Sequence, residues 1–177
     1  MAENEFRLDI RLIEAGDRLS GLSLGDETFT PLKIFLQKHA KAFQANSLAR
    51  TYGAFDASKA RIIGYITLVC GQIVTGDGNH KLVDDPAYRY DHYPAIKIAR
   101  LAVDQNMRKN RLGRTLVDLA LGIAKDTISP AVGCRFVVVD SKQNAVQFYQ
   151  RCGFTLLDTD ANRARSEPVM FIDLHKA

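Results

Sequence analysis

The second half of the chain holds two apolar stretches of strand length on either side of an amphipathic stretch. Cys134–Val139 is an almost continuous apolar run, which is typical of a strand that is buried on both faces. Ala95–Val103 is the other strand, and between the two the apolar residues recur at helical spacing: Leu112, Leu116, Leu119, Ala120 and Ile123. A strand, a helix and a strand in this order form a crossover between strands of one sheet. This pattern restricts the fold to the α/β class.

Further elements are predicted on both sides of this crossover. Phe6–Ile13 alternates apolar and polar residues as a half-buried strand does, and Thr30 and Pro31 are residues that cap and begin a helix. The other predicted strands are 49–55, 61–69, 154–157 and 169–174, with a short helix over 145–152. The order is βαββ, an irregular segment over 75–93, and then βαβαββ. We expect an α/β domain whose mixed central sheet of about six to seven strands is flanked by helices.

Length and composition exclude several classes of protein. A chain of 177 residues, 46% of them apolar and 25% charged, suits one globular domain, which we expect to span residues 1–177. Three cysteines are too few for a disulfide framework and favour a reducing cytoplasm. The first residues do not have the pattern of a signal peptide. The longest apolar run, Ile62–Gly71, is about half as long as the roughly 20 residues that a membrane span needs.

Four basic residues cluster where the central helix is predicted to begin: Arg108, Lys109, Arg111 and Arg114. Cations at a helix N-terminus oppose the helix dipole and cost about 0.3–1 kcal/mol each when they are exposed. A bound anion makes the same cations stabilising, because free backbone N–H groups and basic side chains together hold a phosphate. The glycine patterns of nucleotide-binding loops are absent here. The alternative is a solvated basic turn.

Leu101-Ala102-Val103 followed by Arg108 to Gly113 resembles the acetyl-coenzyme A motif of the GNAT family of N-acetyltransferases. In that family a strand ending in Leu-Ala-Val precedes Gln/Arg-x-x-Gly-x-Gly/Ala, and Arg111 stands here at the middle glycine. The resemblance implies a GNAT-like fold with splayed central parallel strands, acetyl-CoA as co-substrate and no metal. The residues that it implies for coenzyme binding are Leu101, Ala102, Val103, Arg108, Lys109, Asn110, Arg111, Leu112, Gly113, Arg114 and Thr115.

A second motif lies downstream, where residues 145–154 resemble the Ala-x-x-x-Tyr-x-x-x-Gly-Phe signature of the same family. The resemblance implies that Tyr149 is the acid that protonates the departing thiolate. An ordinary tyrosine has a pKa near 10 and therefore keeps its proton at neutral pH. The family often has Asn where this chain has Lys142. The alternative for Tyr149 is simple core packing.

A narrower resemblance covers the first half of the chain. Leu24 to Glu27, Ala49 to Tyr52 and Gly64 to Leu68 are similar to the toxin-type acetyltransferases of toxin–antitoxin pairs, which acetylate the amino group of an aminoacyl-tRNA. This resemblance implies an aminoacyl-tRNA as acceptor. The partners it implies are a ribbon–helix–helix antitoxin and a second copy of the chain.

Basic residues around the predicted site favour an anionic acceptor. The substrate-binding candidates are Arg50, Arg89, Lys97 and Arg100, and the net charge of the whole chain is +4. Two alternatives stay open: acetyl transfer to a small amine or a protein N-terminus, and a regulatory domain that binds acetyl-CoA without turnover. No general base is assigned among the acidic candidates, which are Glu27, Asp84, Asp85 and Asp91.

Overall fold

The computed structural model describes residues 7–76 and 81–177. Its strands form one seven-stranded sheet in the order β1-β2-β3-β4-β5-β7-β6. The strands are β1 (Leu8–Leu12), β2 (Arg50–Asp56), β3 (Arg61–Val74), β4 (His92–Val103), β5 (Phe136–Asp140), β6 (Thr155–Leu156) and β7 (Val169–Asp173). β4 and β5 are parallel, whereas the β1–β2, β2–β3, β5–β7 and β6–β7 pairs are antiparallel. The predicted mixed α/β sheet is confirmed.

The helices include two π-helical stretches that the sequence pattern does not distinguish from α-helix. The α-helices are α1 (Thr30–Ile34), α2 (Ala40–Ala45), α3 (Leu112–Gly122), α4 (Ser129–Val132), α5 (Val146–Arg151) and α6 (Asp160–Arg163). Phe35–His39 joins α1 to α2 as a π-helix, and Ile123–Ile128 joins α3 to α4 in the same way. Short 3-10 turns cover Glu27–Phe29, Gln105–Asn110 and Gln143–Ala145.

The first helix begins earlier than predicted, and its cap is a different residue. The helical run opens at Glu27, and the Asp26 carboxylate accepts a hydrogen bond from the Thr28 N–H at 2.8 Å. The prediction that Thr30 caps this helix is therefore wrong. Asp26 is the better cap, because an ionised carboxylate accepts a stronger hydrogen bond than a hydroxyl and also favours the positive end of a helix.

The chain forms two compact units, and the first comprises residues up to 69 together with 99–118. Its core contains the fully buried Tyr65, whose hydroxyl donates to the Leu32 carbonyl at 2.7 Å. The guanidinium of Arg100 lies 3.7 Å from the centre of the Phe35 ring, a cation–π contact. These contacts hold the helix that begins at Glu27 on the sheet.

The second unit comprises residues 70–98 and 119–177. Phe136 is its fully buried centre, with the Tyr93 and Phe171 rings packed edge-on at 5.9 and 5.6 Å. The parallel ladder pairs Ala95–Lys97 with Phe136–Val138 and ends there, although β4 continues to Val103 and β5 to Asp140. This early end of the ladder matches the predicted splay of the central parallel strands.

Within the described ranges, the structure has no helix with the length and apolar character of a membrane span. The three cysteines are free thiols. Cys134 and Cys152 are buried, whereas Cys70 is exposed.

Replacing two glycines by alanine should change the free energy of unfolding in opposite directions, which tests the fold. Gly25 has a φ of +81°, and a Cβ placed there would lie 2.5 Å from the Gln105 Oε1 atom. We expect Gly25→Ala to lower the free energy of unfolding by about 1–2 kcal/mol, because an L side chain is strained at this φ. Gly122 is the last residue of α3, and a Cβ placed there would meet open space. Because alanine has a higher helix propensity than glycine, Gly122→Ala should raise that free energy by about 0.5–1 kcal/mol.

Urea unfolding followed by circular dichroism measures both changes. Equal shifts in the same direction would contradict the assignment of the positive φ to Gly25.

Candidate functional site

The buried carboxylate of Asp104 organises the turn that follows β4. Its side chain is fully buried, and Oδ2 accepts hydrogen bonds from the Ser23 N–H at 3.0 Å and from the Arg61 guanidinium. Oδ1 accepts from the Asn106 N–H at 3.0 Å. The Asp104 N–H in turn donates to the Ile63 carbonyl at 2.9 Å. One residue therefore joins β3, the N-terminal segment and the turn before α3.

The same contacts explain the ionisation of Asp104. Burial alone would raise the pKa of this carboxyl group. The N–H groups of Ser23 and Asn106 and the charge of Arg61 outweigh burial and hold the pKa of Asp104 below its ordinary value. The carboxylate is thus ionised throughout the neutral range.

We call residues 104–115 the basic loop, because the predicted cluster of cations lies on it. The 3-10 turn Gln105–Asn110 ends at Arg111, whose φ of 57° is in the left-handed region. This is the conformation that a glycine adopts without strain, at the position where the family motif has glycine. α3 then begins at the buried Leu112, and the first-turn N–H groups of an α-helix have no partner within the helix.

The predicted coenzyme residues differ in how far they are already engaged. Lys109, Asn110 and Arg111 are exposed, and Gly113 is half-buried. Arg114 forms an ion pair with Asp118 at 2.9 Å. Thr115 donates through its N–H to the Arg111 carbonyl at 3.0 Å.

Arg108 is also exposed, but its guanidinium already has partners. Its Nη2 donates to the Leu24 carbonyl at 2.5 Å, and its guanidinium lies 5.6 Å from the centre of the Phe29 ring.

The end of β4 supplies the remaining predicted coenzyme residues. Leu101 and Val103 are half-buried, and Ala102 between them is buried. The Ala102 carbonyl lies 3.1 Å from the position that a Cβ on Gly64 would occupy, so β3 and β4 approach closely here.

Tyr149 lies on α5 in the second unit. It is buried, and its ring packs edge-on against Phe148 at 5.1 Å and Phe154 at 5.3 Å. Burial, and secondarily the Cys152 thiol, raises the pKa of Tyr149 above its ordinary value. Among the described residues, the Tyr149 hydroxyl has no hydrogen-bond partner. A buried ring with a protonated, unpaired hydroxyl is suited to donate a hydrogen bond to a ligand.

The four predicted substrate-binding cations have different surroundings. Arg50 donates to the Gln44 carbonyl at 2.7 Å, and Arg100 packs on Phe35. Lys97 forms an ion pair with Asp140 at 2.6 Å, close to the end of the parallel ladder. Arg89 is exposed. Three of the four therefore have structural partners of their own.

The acidic candidates do not form a recognisable base or metal site. Glu27, Asp84 and Asp85 are exposed, and Asp91 lies 3.3 Å from His92. No group of three or more metal-ligating side chains occurs in the described part of the chain. His80, another residue of the predicted irregular segment, lies outside the described residues.

Sequence reasoning did not assign a role to Asp104 or to Arg61. A signal was present for Asp104, because an Asp directly before a helical turn is a typical N-cap, and here it accepts from the Asn106 N–H. No comparable signal marks Arg61, which lies 43 residues away and meets Asp104 only through the sheet.

Known proteins resemble this chain in sequence and in fold. The model of the acetyltransferase (GNAT) family matches residues 26–154. A stretch of 89 residues is 32% identical to UPF0039 protein C11D3.02c of Schizosaccharomyces pombe. That match covers 50% of this chain and 57% of the relative, so the chain spans little more than half the length of this curated protein.

Several solved structures share the fold. AtaT complexed with acetyl-methionyl-tRNAfMet is 24% identical with a TM-score of 0.81, over 96% of each chain. A Tyr-to-Phe mutant of KacT is 23% identical with a TM-score of 0.77, also over 96% of each chain. A Tyr-to-Phe mutant of the AtaT toxin, bound to the C-terminus of the antitoxin AtaR and acetyl-CoA, is 22% identical, with a TM-score of 0.73 over 96% of this chain and 94% of that one. At these identities the similarity shows the fold.

The ionised Asp104 predicts a pH-dependent loss of stability in one variant. Asp104→Asn keeps the size of the side chain but removes the charge that Arg61 and two N–H groups contact, so the free energy of unfolding should fall by about 2–3 kcal/mol at pH 7. The folded-state pKa is depressed, so this contribution is complete above the unfolded value of about 3.9 and is lost as the pH falls through the lower folded value. The difference between wild type and variant should therefore shrink below about pH 4.

Urea unfolding between pH 7 and pH 3 measures this difference. Asp118→Asn is the matched control, because its exposed pair with Arg114 should contribute less than about 1 kcal/mol. A gap for Asp104→Asn that is as large at pH 3 as at pH 7 would show that charge is not the reason.

Proposed function

The chain belongs to the acetyltransferase (GNAT) family, and on this premise we propose that it transfers an acetyl group from acetyl-CoA to the α-amine of an aminoacyl-tRNA. The observation that carries the proposal is the basic loop, in which a left-handed residue and exposed cations precede the open N-terminus of an eleven-residue helix. Such a terminus binds phosphate groups through main-chain N–H groups and adjacent basic side chains.

The proposed coenzyme site has a strand part and a loop part. Main-chain groups of Leu101 and Val103 would pair with the pantetheine arm as an added strand pairs with a sheet edge. The main-chain N–H groups of Leu112 and Gly113, at the start of α3, would receive the pyrophosphate. Lys109 and Arg111 are exposed and have no ion-pair partner among residues 7–76 and 81–177, so they are the side chains best suited to bind phosphate.

We assign the proton transfer to Tyr149. The neutral amine attacks the thioester carbonyl, the N–C bond forms, the C–S bond breaks, and the departing sulfur takes the Tyr149 hydroxyl proton. The attacking nitrogen then releases its extra proton, which restores the Tyr149 phenol. The raised pKa of Tyr149 keeps that proton in place until the thiolate develops. The α-amine of an aminoacyl ester needs little help from a base, since an α-amino group with a pKa of about 7.7–8.0 is partly neutral at pH 7. The unassigned base is therefore no obstacle to the chemistry.

Charge favours an acceptor that carries phosphates. Seven basic residues lie between Arg89 and Thr115 against two acids, a balance of +5 in a chain whose net charge is +4. Lys97 and Arg114 are neutralised by Asp140 and Asp118. Arg89, Lys109 and Arg111 remain exposed without an ion-pair partner among the described residues. The positive balance of this stretch suits anionic ligands, both the phosphates of the coenzyme and a nucleic-acid backbone.

The solved relatives support the same acceptor class. AtaT is complexed with acetyl-methionyl-tRNAfMet in one structure and with AtaR and acetyl-CoA in another. By analogy, we propose an antitoxin as a protein partner of this chain.

The proposal predicts acetylated tRNA ends. The purified protein, incubated with acetyl-CoA and total aminoacylated tRNA, should yield N-acetyl-aminoacyl ends that mass spectrometry detects after nuclease digestion. The yield at limiting tRNA should fall roughly tenfold or more between 50 and 200 mM salt, because backbone contacts release counterions.

A polyamine and a peptide serve as competing acceptors in the same assay. Acetylation of either one, with no acetylated tRNA at any salt concentration, would contradict the tRNA acceptor. Release of coenzyme A by hydrolysis alone would favour a regulatory domain instead.

The role of Tyr149 predicts a loss of turnover without a loss of binding. Tyr149→Phe retains the ring that packs on Phe148 and Phe154 but removes the acidic proton, so kcat should fall by about 10²–10⁴. The Kd for acetyl-CoA, measured by calorimetry, should stay within about threefold.

Tyr90→Phe is the matched control, because the Tyr90 side chain is 72% exposed and the same hydroxyl is lost there. Wild-type turnover in Tyr149→Phe would remove the residue from the chemistry.

A further inference from the structure

We infer that Arg108 is a positioning residue that fastens the basic loop to the segment that opens the first helix. The inference rests on the proposed function, because it concerns how the proposed coenzyme loop is connected to the rest of the protein. We call Ser23–Phe29 the opening segment, since it leads directly into α1.

Four hydrogen bonds join the opening segment to the basic loop. The Ser23 N–H donates to the Asp104 carboxylate at 3.0 Å, and the Gln105 N–H donates to the Ser23 carbonyl at 2.8 Å. The Gln105 side-chain amide donates to the Ser23 hydroxyl, also at 2.8 Å. The fourth is the bond from Arg108 to the Leu24 carbonyl. Three of the four therefore hold Ser23, and among the described residues of the basic loop only Arg108 makes a hydrogen bond to the opening segment beyond Ser23.

The surroundings of the Arg108 guanidinium match this role. It lies beside the Phe29 ring at one end of the opening segment, and its charge contributes to lowering the pKa of Asp26, after the main effect of the Thr28 N–H. Gly25 lies directly against the Gln105 side chain, so the two segments are also in contact at this point. Arg111, which is exposed like Arg108, has no side-chain partner among the described residues.

This connection has a consequence for the acceptor. The helical run that starts at Glu27 carries Lys33 and Lys38, whose ammonium groups have no partner within the described ranges. The far part of this run is anchored by Tyr65 and Leu32, so loss of Arg108 should loosen the opening segment without unfolding the protein. Within the part of the chain that the structure describes, the basic loop and the helix that presents these lysines would then be joined by hydrogen bonds only through Ser23.

The test compares Arg108→Ala with Arg111→Ala, because both remove one arginine side chain from the same loop. For Arg108→Ala we expect a Kd for acetyl-CoA within about threefold of wild type and a KM for aminoacyl-tRNA raised about tenfold or more. Arg111→Ala should do the reverse, with Kd raised about tenfold to a hundredfold and the acceptor KM nearly unchanged. Calorimetry gives the Kd values and initial rates give the KM values.

Hydrogen exchange provides a readout that does not depend on the acceptor. Saturating acetyl-CoA should slow exchange of the amides of residues 25–29 in wild type and in Arg111→Ala, and should leave it unchanged in Arg108→Ala. Urea unfolding checks that both variants are folded.

A Kd for acetyl-CoA raised tenfold or more in Arg108→Ala would overturn the inference, and so would coenzyme-dependent protection of residues 25–29 in that variant. If the proposed acceptor is wrong, no acceptor KM is obtained with aminoacyl-tRNA, but the Kd and exchange measurements still decide the role of Arg108.

Discussion

The buried Asp104 carboxylate is the constraint on which the candidate coenzyme site depends. It receives main-chain and side-chain donors from three parts of the chain: the N-terminal segment, β3 and the turn before α3. A buried charge is stable only when it is fully hydrogen-bonded. The loss of any one of these donors would therefore destabilise the carboxylate that the other donors contact. The position of the basic loop follows from this one group.

The sequence predicted the fold well where short-range patterns decide it. The buried strand β5, the amphipathic helix α3 and the hairpin between β2 and β3 all carry their periodicity within a dozen residues. The short helix α6 was missed, because its four residues, Asp160–Arg163, are too few to show an apolar repeat. The π-helical stretches were also missed, since they differ from α-helix only in hydrogen-bond register.

The candidate site was less accessible to sequence reasoning, because its contacts join distant residues. The cluster of cations on the basic loop was visible, but the acceptor of Arg108, a main-chain carbonyl 84 residues away, has no signature in the sequence. Lys97 and Arg100 illustrate the same limit: each counted as an available cation until Asp140 and the Phe35 ring were found beside it. The composition gives the number of charged side chains, whereas the fold determines which of them are free to bind a ligand.

The contacts of Asp104 also determine when the site can form during synthesis. Its partners Ser23 and Arg61 lie 81 and 43 residues earlier in the chain. Contacts of such long sequence separation are slow to form, because the intervening chain must be ordered first. A nascent chain that has exposed only β1, β2 and β3 has no acceptor for the Ser23 N–H or the Arg61 guanidinium. The candidate coenzyme site therefore cannot form before residue 104 has left the ribosome, although such an incomplete chain already contains Lys33 and Lys38 of the first helix.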